Sequence, residues 1–203
     1  MIGTGLLWVG WFGFNAGSAL EASGLAAIAT MNTFAAPAAG ILAWMGIERW
    51  RSGKPSLLGG ASGAIAALVA VTPAAGVSGP LGAALLGAVA SLACYAFIAR
   101  FKARLKLDDS LDVFGIHGLG GIVGSIGTAV VALPVLGGHA ADDYDLPAQL
   151  TRQLAAVGLA TAWSAVGSAL CFLIVRSLLN VRPDEEVERE GLDIGDHGER
   201  AYS

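Results

Sequence analysis

One of the three histidines lies inside an apolar, glycine-rich stretch of this 203-residue chain. His117 is flanked by Ile116 and Gly118 and stands about one turn into a predicted membrane span. Among such neighbours a neutral imidazole is expected, which offers one hydrogen-bond donor and one acceptor. A polar residue at this depth is a functional candidate by default. We therefore predict that His117 guides a small polar solute through an apolar passage; the alternative is a packing histidine that its neighbours satisfy.

Asp112 stands just before His117, at the predicted start of the same helix. A carboxylate at a helix N-terminus accepts hydrogen bonds from free backbone N–H groups and interacts favourably with the helix dipole. Capping is the leading interpretation of Asp112, and direct contact with a transported cation is the alternative.

Aromatic and hydroxyl side chains are spaced at helical intervals in the first apolar stretch, where Ser18 follows Phe14 by one turn on the same face. An aromatic ring beside a hydroxyl can bind a cation through a cation–π contact and a hydrogen bond. The alternative is an aromatic belt at the membrane interface. Thr72, at the end of the third apolar stretch, either faces the same site or bonds back to its own helix backbone.

A polar loop contains one further histidine and three aspartates: His139, Asp142, Asp143 and Asp145. A solvated loop is the leading interpretation of this group, ahead of a metal site. The sequence contains no nucleophile–base arrangement, no phosphate-binding loop and no Cys/His cluster. Neither an enzyme, nor a bound metal, nor an organic cofactor is therefore predicted.

The composition indicates that the helices carrying these residues are embedded in lipid. Of all residues, 55% are hydrophobic and 14% are charged, against about 25% charged in a typical soluble domain. Continuous apolar runs favour membrane helices over a β-barrel. The fold class predicted is an all-α polytopic membrane protein with about six transmembrane helices, at residues 3–20, 25–47, 57–74, 81–99, 113–136 and 150–179.

Basic residues occur in alternate loops. The loops at 48–54 and 100–112 and the C-terminal tail contain Lys and Arg, whereas the loops at 21–24, 75–80 and 137–147 contain none. The positive-inside rule places the basic set, including the C-terminus, in the cytoplasm. We predict a transmembrane domain over residues 1–180 and a cytoplasmic tail over residues 181–203. The chain lacks a basic patch with interleaved aromatics, so nucleic acid is not predicted as a partner.

Several blocks together resemble the ammonium transporter (Amt/MEP/Rh) family. The most specific is the segment 112–118 around His117, and the aromatic block 8–18 resembles the family signature. The other blocks occur in family order at residues 53–59, 62–66, 71–74, 188–193 and 197–199. The resemblance covers nearly the whole chain and implies its C-terminal half, namely the second inverted repeat and the last helix.

The resemblance also implies roles for individual residues. Phe14 resembles the inner ring of a phenylalanine gate, and Ser18 and Thr72 resemble residues near an external ammonium site. Val113 resembles a pore-lining residue, and His117 resembles the second of two paired pore histidines.

Further implications concern assembly. Asp112 resembles a residue that supports the pore helix. Family members form trimers with one pore per subunit, and their cytoplasmic tail takes part in regulation by nitrogen-regulatory PII proteins. The first repeat, with the partner histidine, is expected to lie outside this sequence. The chain alone is therefore expected not to conduct, and to transport ammonium or ammonia only within a full-length or complemented transporter.

Two other functions remain open at this stage. One is a Rhesus-type gas channel of the same architecture, against which the 14–18 block and Thr72 argue. The other is a non-conducting half-transporter that acts as a regulatory or assembly subunit, which a half-length chain with an acidic tail would suit.

Overall fold

The computed structural model of the chain describes residues 1–102, 104–106 and 108–199. All regular structure within these ranges is helical, which confirms the predicted all-α fold. The chain divides into two compact units, Met1–Val157 and Gly158–Ser203. The last four residues of the predicted tail, 200–203, lie outside the described residues.

In the described ranges, six helices of 13 residues or more follow one another: α1 (Ile2–Gly17), α2 (Gly24–Ser52), α3 (Leu57–Val71), α4 (Pro80–Ala96), α5 (Leu119–Val131) and α6 (Leu146–Leu178). Short helical turns extend three of them. A 3-10 turn, Thr72–Ala74, continues α3, a π-helical segment, Phe97–Lys102, continues α4, and a second π-helical segment, Phe114–Gly118, precedes α5.

Among the described residues, five helical segments, one fewer than predicted, are long and apolar enough to cross a membrane: Gly24–Ser52, Leu57–Ala74, Pro80–Lys102, Phe114–Val131 and Leu146–Leu178. The first predicted span is shorter than expected, because α1 has 16 residues, or about 24 Å at 1.5 Å per residue, against about 30 Å of hydrocarbon. The second is longer than expected. It runs to Ser52 and ends where Gly53 adopts a left-handed conformation with φ of 76°.

The core of the first unit is formed by α2, α3 and α4, which pack through small residues. Gly40 on α2 lies so close to α3 that a Cβ atom there would be 2.5 Å from the Ala67 side chain and 2.6 Å from the Gly63 carbonyl. The Ser91 hydroxyl of α4 donates to the Gly40 carbonyl at 2.8 Å. Close backbone approach of this kind is typical of membrane helices. In lipid the hydrophobic effect does not drive helices together, and small residues allow the close van der Waals contact that does.

Pro37 lies inside α2, and a neighbouring helix compensates for it. Proline has no N–H, so the carbonyl four residues earlier, at Thr33, loses its helical donor. The Trp8 indole on α1 donates to the Thr33 carbonyl at 3.0 Å. The break in α2 is thereby satisfied, as a polar group in lipid must be.

Replacing Trp8 by Phe should lower the free energy of unfolding by about 1–2 kcal/mol, because the Thr33 carbonyl would be left without a donor. Reversible unfolding by SDS in mixed micelles, followed by circular dichroism, would measure this change. Trp50→Phe is a suitable control because the Trp50 side chain is exposed and lies on α2, the helix that contains Thr33. Equal stability of the two variants would contradict this account of Pro37.

The second unit contains the later part of α6 and two short tail helices, α7 (Glu185–Glu190) and α8 (Leu192–Gly195). The guanidinium of Arg182 pairs with Glu188 at 3.0 Å. The positions of Val187 and Gly195 are adjacent, since a Cβ atom at Gly195 would overlap the Val187 side chain. The acidic tail therefore folds locally instead of remaining extended.

Candidate functional site

A cavity of about 250 Å³ lies at the C-terminal end of α1, beside the ends of α2 and α3. It is called the polar cavity here because hydroxyl and amide side chains contribute to its wall. Three of the predicted site residues, Phe14, Ser18 and Thr72, are among its lining residues: Phe14, Asn15, Ser18, Ala19, Leu25, Ala29, Thr72, Ala75 and Gly76. The structure thus brings these three side chains together from helices that are distant in sequence.

The hydroxyl groups of the polar cavity are fixed by hydrogen bonds. The Ser18 hydroxyl donates to the Phe14 carbonyl at 2.6 Å. The Thr72 hydroxyl donates to the Leu68 carbonyl at 2.8 Å and accepts the Trp11 indole N–H, also at 2.8 Å. Thr72 thus bonds back to its own helix and also borders the cavity.

Phe14 is shared between the polar cavity and an apolar groove of about 590 Å³ along α1. The apolar groove is lined by Gly3, Leu6, Leu7, Gly10, Trp11 and Phe14. The Phe14 ring is 62% exposed within this chain and meets Trp11 edge-on, with ring centroids 6.4 Å apart. A solute moving along α1 from the polar cavity to the groove would therefore pass this ring.

His117 lies on the π-helical segment Phe114–Gly118, apart from the lining of the polar cavity. Its side chain is exposed, as is that of Val113, and the described residues provide its ring with no hydrogen-bond partner. The next residue back, Ile116, is buried in a cluster against which Trp11 packs. The backbone that presents His117 is thus anchored to the interior, while the imidazole faces outward from this chain.

The predicted cap at Asp112 is wrong. Asp109 accepts from the backbone N–H of Val113 at 2.8 Å and from that of Gly115 at 3.2 Å. Asp112 instead adopts a left-handed conformation with φ of 56°, and its carboxylate binds the Lys102 ammonium at 2.6 Å. The physical reason is the turn before the helix. Because Asp112 has a positive φ, it belongs to this turn, and the Asp109 carboxylate instead reaches the free backbone N–H groups of Val113 and Gly115.

Among the described residues, no group of three or more His, Cys, Asp or Glu side chains that could hold a metal ion occurs. The His139 backbone N–H donates to the Val77 carbonyl at 2.9 Å. The Tyr144 hydroxyl donates to the Ala129 carbonyl at 2.8 Å. These hydrogen bonds connect the loop to the ends of neighbouring helices.

Comparison with known proteins identifies the fold and the sequence pattern. A family model described as Ammonium Transporter Family matches residues 1–202. The chain belongs to this family. Members of this family are multi-pass membrane proteins that transport ammonium, and they are not enzymes.

Relatives of the family share substantial sequence with this chain but are about twice as long. The chain is 45% identical over 202 residues to the ammonium transporter of Aquifex aeolicus, and the match covers 100% of this chain and 48% of that protein. It is 42% identical over 205 residues to the ammonium transporter Amt1 of Archaeoglobus fulgidus, covering 100% and 51%. The chain therefore spans about half the length of these relatives.

Solved structures of the family share the fold. A sensor Amt protein superposes with a TM-score of 0.86 at 28% identity, covering 96% of this chain and 48% of that one. Mep2 of Candida albicans superposes with a TM-score of 0.79 at 36% identity, covering 91% and 42%. The ammonium-transporter-like fold predicted from the sequence is confirmed.

Sequence reasoning did not single out three residues of this region: Trp11, Asn15 and Asp109. For Asn15 a signal was present, because an amide inside an apolar membrane stretch is unusual. For Asp109 the sequence offered several carboxylates in one loop and no means to choose among them. For Trp11 the decisive contact is with a residue 61 positions away.

Proposed function

We propose that this chain is the C-terminal half of an ammonium transporter and supplies one wall of its pore. The observation that best supports this proposal is the position of Phe14 between the polar cavity and the apolar groove. A selective route for ammonium and its neutral form, ammonia, requires three features in series. These are a polar binding cavity, an aromatic ring and an apolar passage. The side chains of Val113 and His117 are exposed, and we propose that they belong to the same wall.

The proposed mechanism follows from the cost of charge in an apolar passage. Ammonium is attracted to the polar cavity by the face of Phe14 and the oxygens of Ser18 and Thr72. Moving the intact cation through the apolar groove without water would be very costly. The proton is therefore given up to solvent water at the polar cavity or relayed separately, and the neutral amine passes beside His117, whose imidazole donates or accepts one hydrogen bond. The opposite wall and a partner for His117 come from a complementary first half.

We propose an orientation and an assembly on the basis of charge and family membership. The loop residues Arg49, Arg51 and Lys54 favour a cytoplasmic location for that end of α2. We propose that the tail over residues 181–203 lies in the cytoplasm and that the transmembrane domain covers residues 1–180. We propose a homotrimer for the complete transporter and a nitrogen-regulatory PII protein as a partner of its cytoplasmic face, with Asp112 and Lys102 supporting the helix that presents His117.

Complementation tests the proposed function. The chain is expressed in a bacterial strain that lacks its own ammonium transporters, alone and together with the first half of the Aquifex aeolicus relative. Uptake of radiolabelled methylammonium is expected only when both halves are present. Uptake by the chain alone, or none from the pair although both halves reach the membrane, would overturn the proposal that it forms half of a pore.

A regulatory subunit is the second candidate. Two observations favour it. The first is the structural similarity, with a TM-score of 0.86, to a protein named a sensor Amt protein. The second is the pair of ion pairs at helix α7 of the tail, Arg182 with Glu188 and Arg189 with Glu185. In the complementation strain, a regulatory chain would change the uptake of an intact family transporter without restoring uptake beside the first half.

A further inference from the structure

Asn15 is a buried polar residue with no role in the proposed mechanism. Its side chain is 7% exposed, it follows Phe14 on α1, and it lines the polar cavity. Its oxygen Oδ1 is fully buried and has no hydrogen-bond partner among the residues that the structure describes. A buried acceptor without a donor raises the free energy of the empty site, so it favours any ligand that supplies one.

The orientation of the Asn15 amide is determined by its neighbour. The Thr33 hydroxyl donates its only hydrogen to the Ala29 carbonyl at 2.7 Å. It can therefore only accept from Asn15, and it does so from Nδ2 at 3.0 Å. A flipped amide would place two oxygens against each other. Oδ1 is consequently the atom left without a partner.

The other polar side chains of the cavity have their donors committed in the same way. The Ser18 hydroxyl hydrogen is directed to the Phe14 carbonyl. The Thr72 hydroxyl hydrogen is directed to the Leu68 carbonyl, while Trp11 occupies one of the lone pairs of that oxygen. Each side chain therefore has unused acceptor capacity and no free hydroxyl hydrogen. The polar cavity is a site for a solute that donates hydrogen bonds.

We propose that Asn15 is a specificity-determining residue of the polar cavity, whose Oδ1 accepts an N–H from ammonium or a primary alkylammonium ion. This inference rests on the proposed function and extends it to an additional residue. Because Oδ1 is covered in the empty site, the amide shifts toward the cavity when the ligand binds. The nearby Phe14 ring attracts any small cation, so Asn15 adds the requirement for N–H groups.

Binding to the full chain in lipid nanodiscs tests this inference. The probe is ¹³C-methylammonium, whose NMR line broadening on titration gives a dissociation constant. Asn15→Leu removes the acceptor at similar size and should weaken binding by about tenfold, the effect of one charge-assisted hydrogen bond. The matched control, Thr30→Val, removes a hydroxyl of α2 that donates to the Ala26 carbonyl of its own helix and lies outside the cavity lining, and should bind within about twofold of wild type.

A second probe separates N–H recognition from general cation attraction. Tetramethylammonium has the same charge and no N–H group, so it should compete poorly with methylammonium in the wild type and relatively better in Asn15→Leu. A merely structural role of Asn15 would leave this ratio unchanged, and an equal loss of binding in Thr30→Val would mean that the loss is not specific to Asn15. Either result, or no methylammonium binding by the folded wild-type chain, overturns the inference. The uptake of the two-half transporter is measured separately, so failure of the proposed function is recognised independently.

Discussion

Replacing His117 by Ala in the two-half transporter is expected to lower methylammonium uptake by about 10- to 100-fold, since an unsatisfied polar group costs about 1–3 kcal/mol and about 1.4 kcal/mol is tenfold in rate. The neutral amine retains its N–H groups and lone pair when it leaves the polar cavity. In an apolar passage the imidazole is the side chain that can pair with them. Initial rates at substrate concentrations well below saturation would measure the loss.

A second histidine serves as the control. His139 is exposed in a loop that is fastened by backbone bonds, so His139→Ala should transport like the wild type. His117→Gln offers an amide donor and acceptor and should retain part of the uptake. Wild-type rates and selectivity in His117→Ala would remove the role assigned to this residue, and a comparable loss in His139→Ala would indicate a general defect in assembly.

The helical membrane fold was predictable because the signal is continuous. Each apolar run is long, and residues such as Gly53 and Pro80 mark helix ends by their backbone preferences. The exact boundaries were less accessible. Helix α2 continues beyond its predicted end at residue 47 because Arg49 and Arg51 are compatible with a helix, and only Gly53 stops it.

The composition of the site could be predicted more readily than its hydrogen bonds. Phe14 and Ser18 share a helix face by spacing alone, so their proximity follows from the sequence. The bond from Trp11 to Thr72 joins α1 to the end of α3 and depends on how the two helices pack. The cap is formed by Asp109 because Asp112 has a positive φ. Only glycine strongly indicates a positive φ in a sequence, so this turn could not be predicted.

Glycine positions in α2 differ in what surrounds them, although the sequence does not distinguish them. Gly40 is in contact with α3, where a Cβ atom would overlap the Ala67 side chain and the Gly63 carbonyl, neither of which is a flexible group. Gly46 lies in the same helix, and a Cβ atom added there would meet nothing within 4 Å. The same substitution at these two sites therefore separates helix propensity from interhelical packing.

Gly40→Ala is expected to lower the free energy of unfolding by about 1–3 kcal/mol, because α2 and α3 must separate to admit the methyl group. Gly46→Ala should instead raise it slightly, by about 0.5–1 kcal/mol, since alanine restricts the unfolded chain and adds no clash. SDS-induced unfolding of both variants in mixed micelles would measure the difference. Because Ser91 also donates to the Gly40 carbonyl, a displaced α2 would weaken its contact with α4 as well. Equal stability of the two variants would mean that the close approach of α2 and α3 does not limit the packing of this bundle.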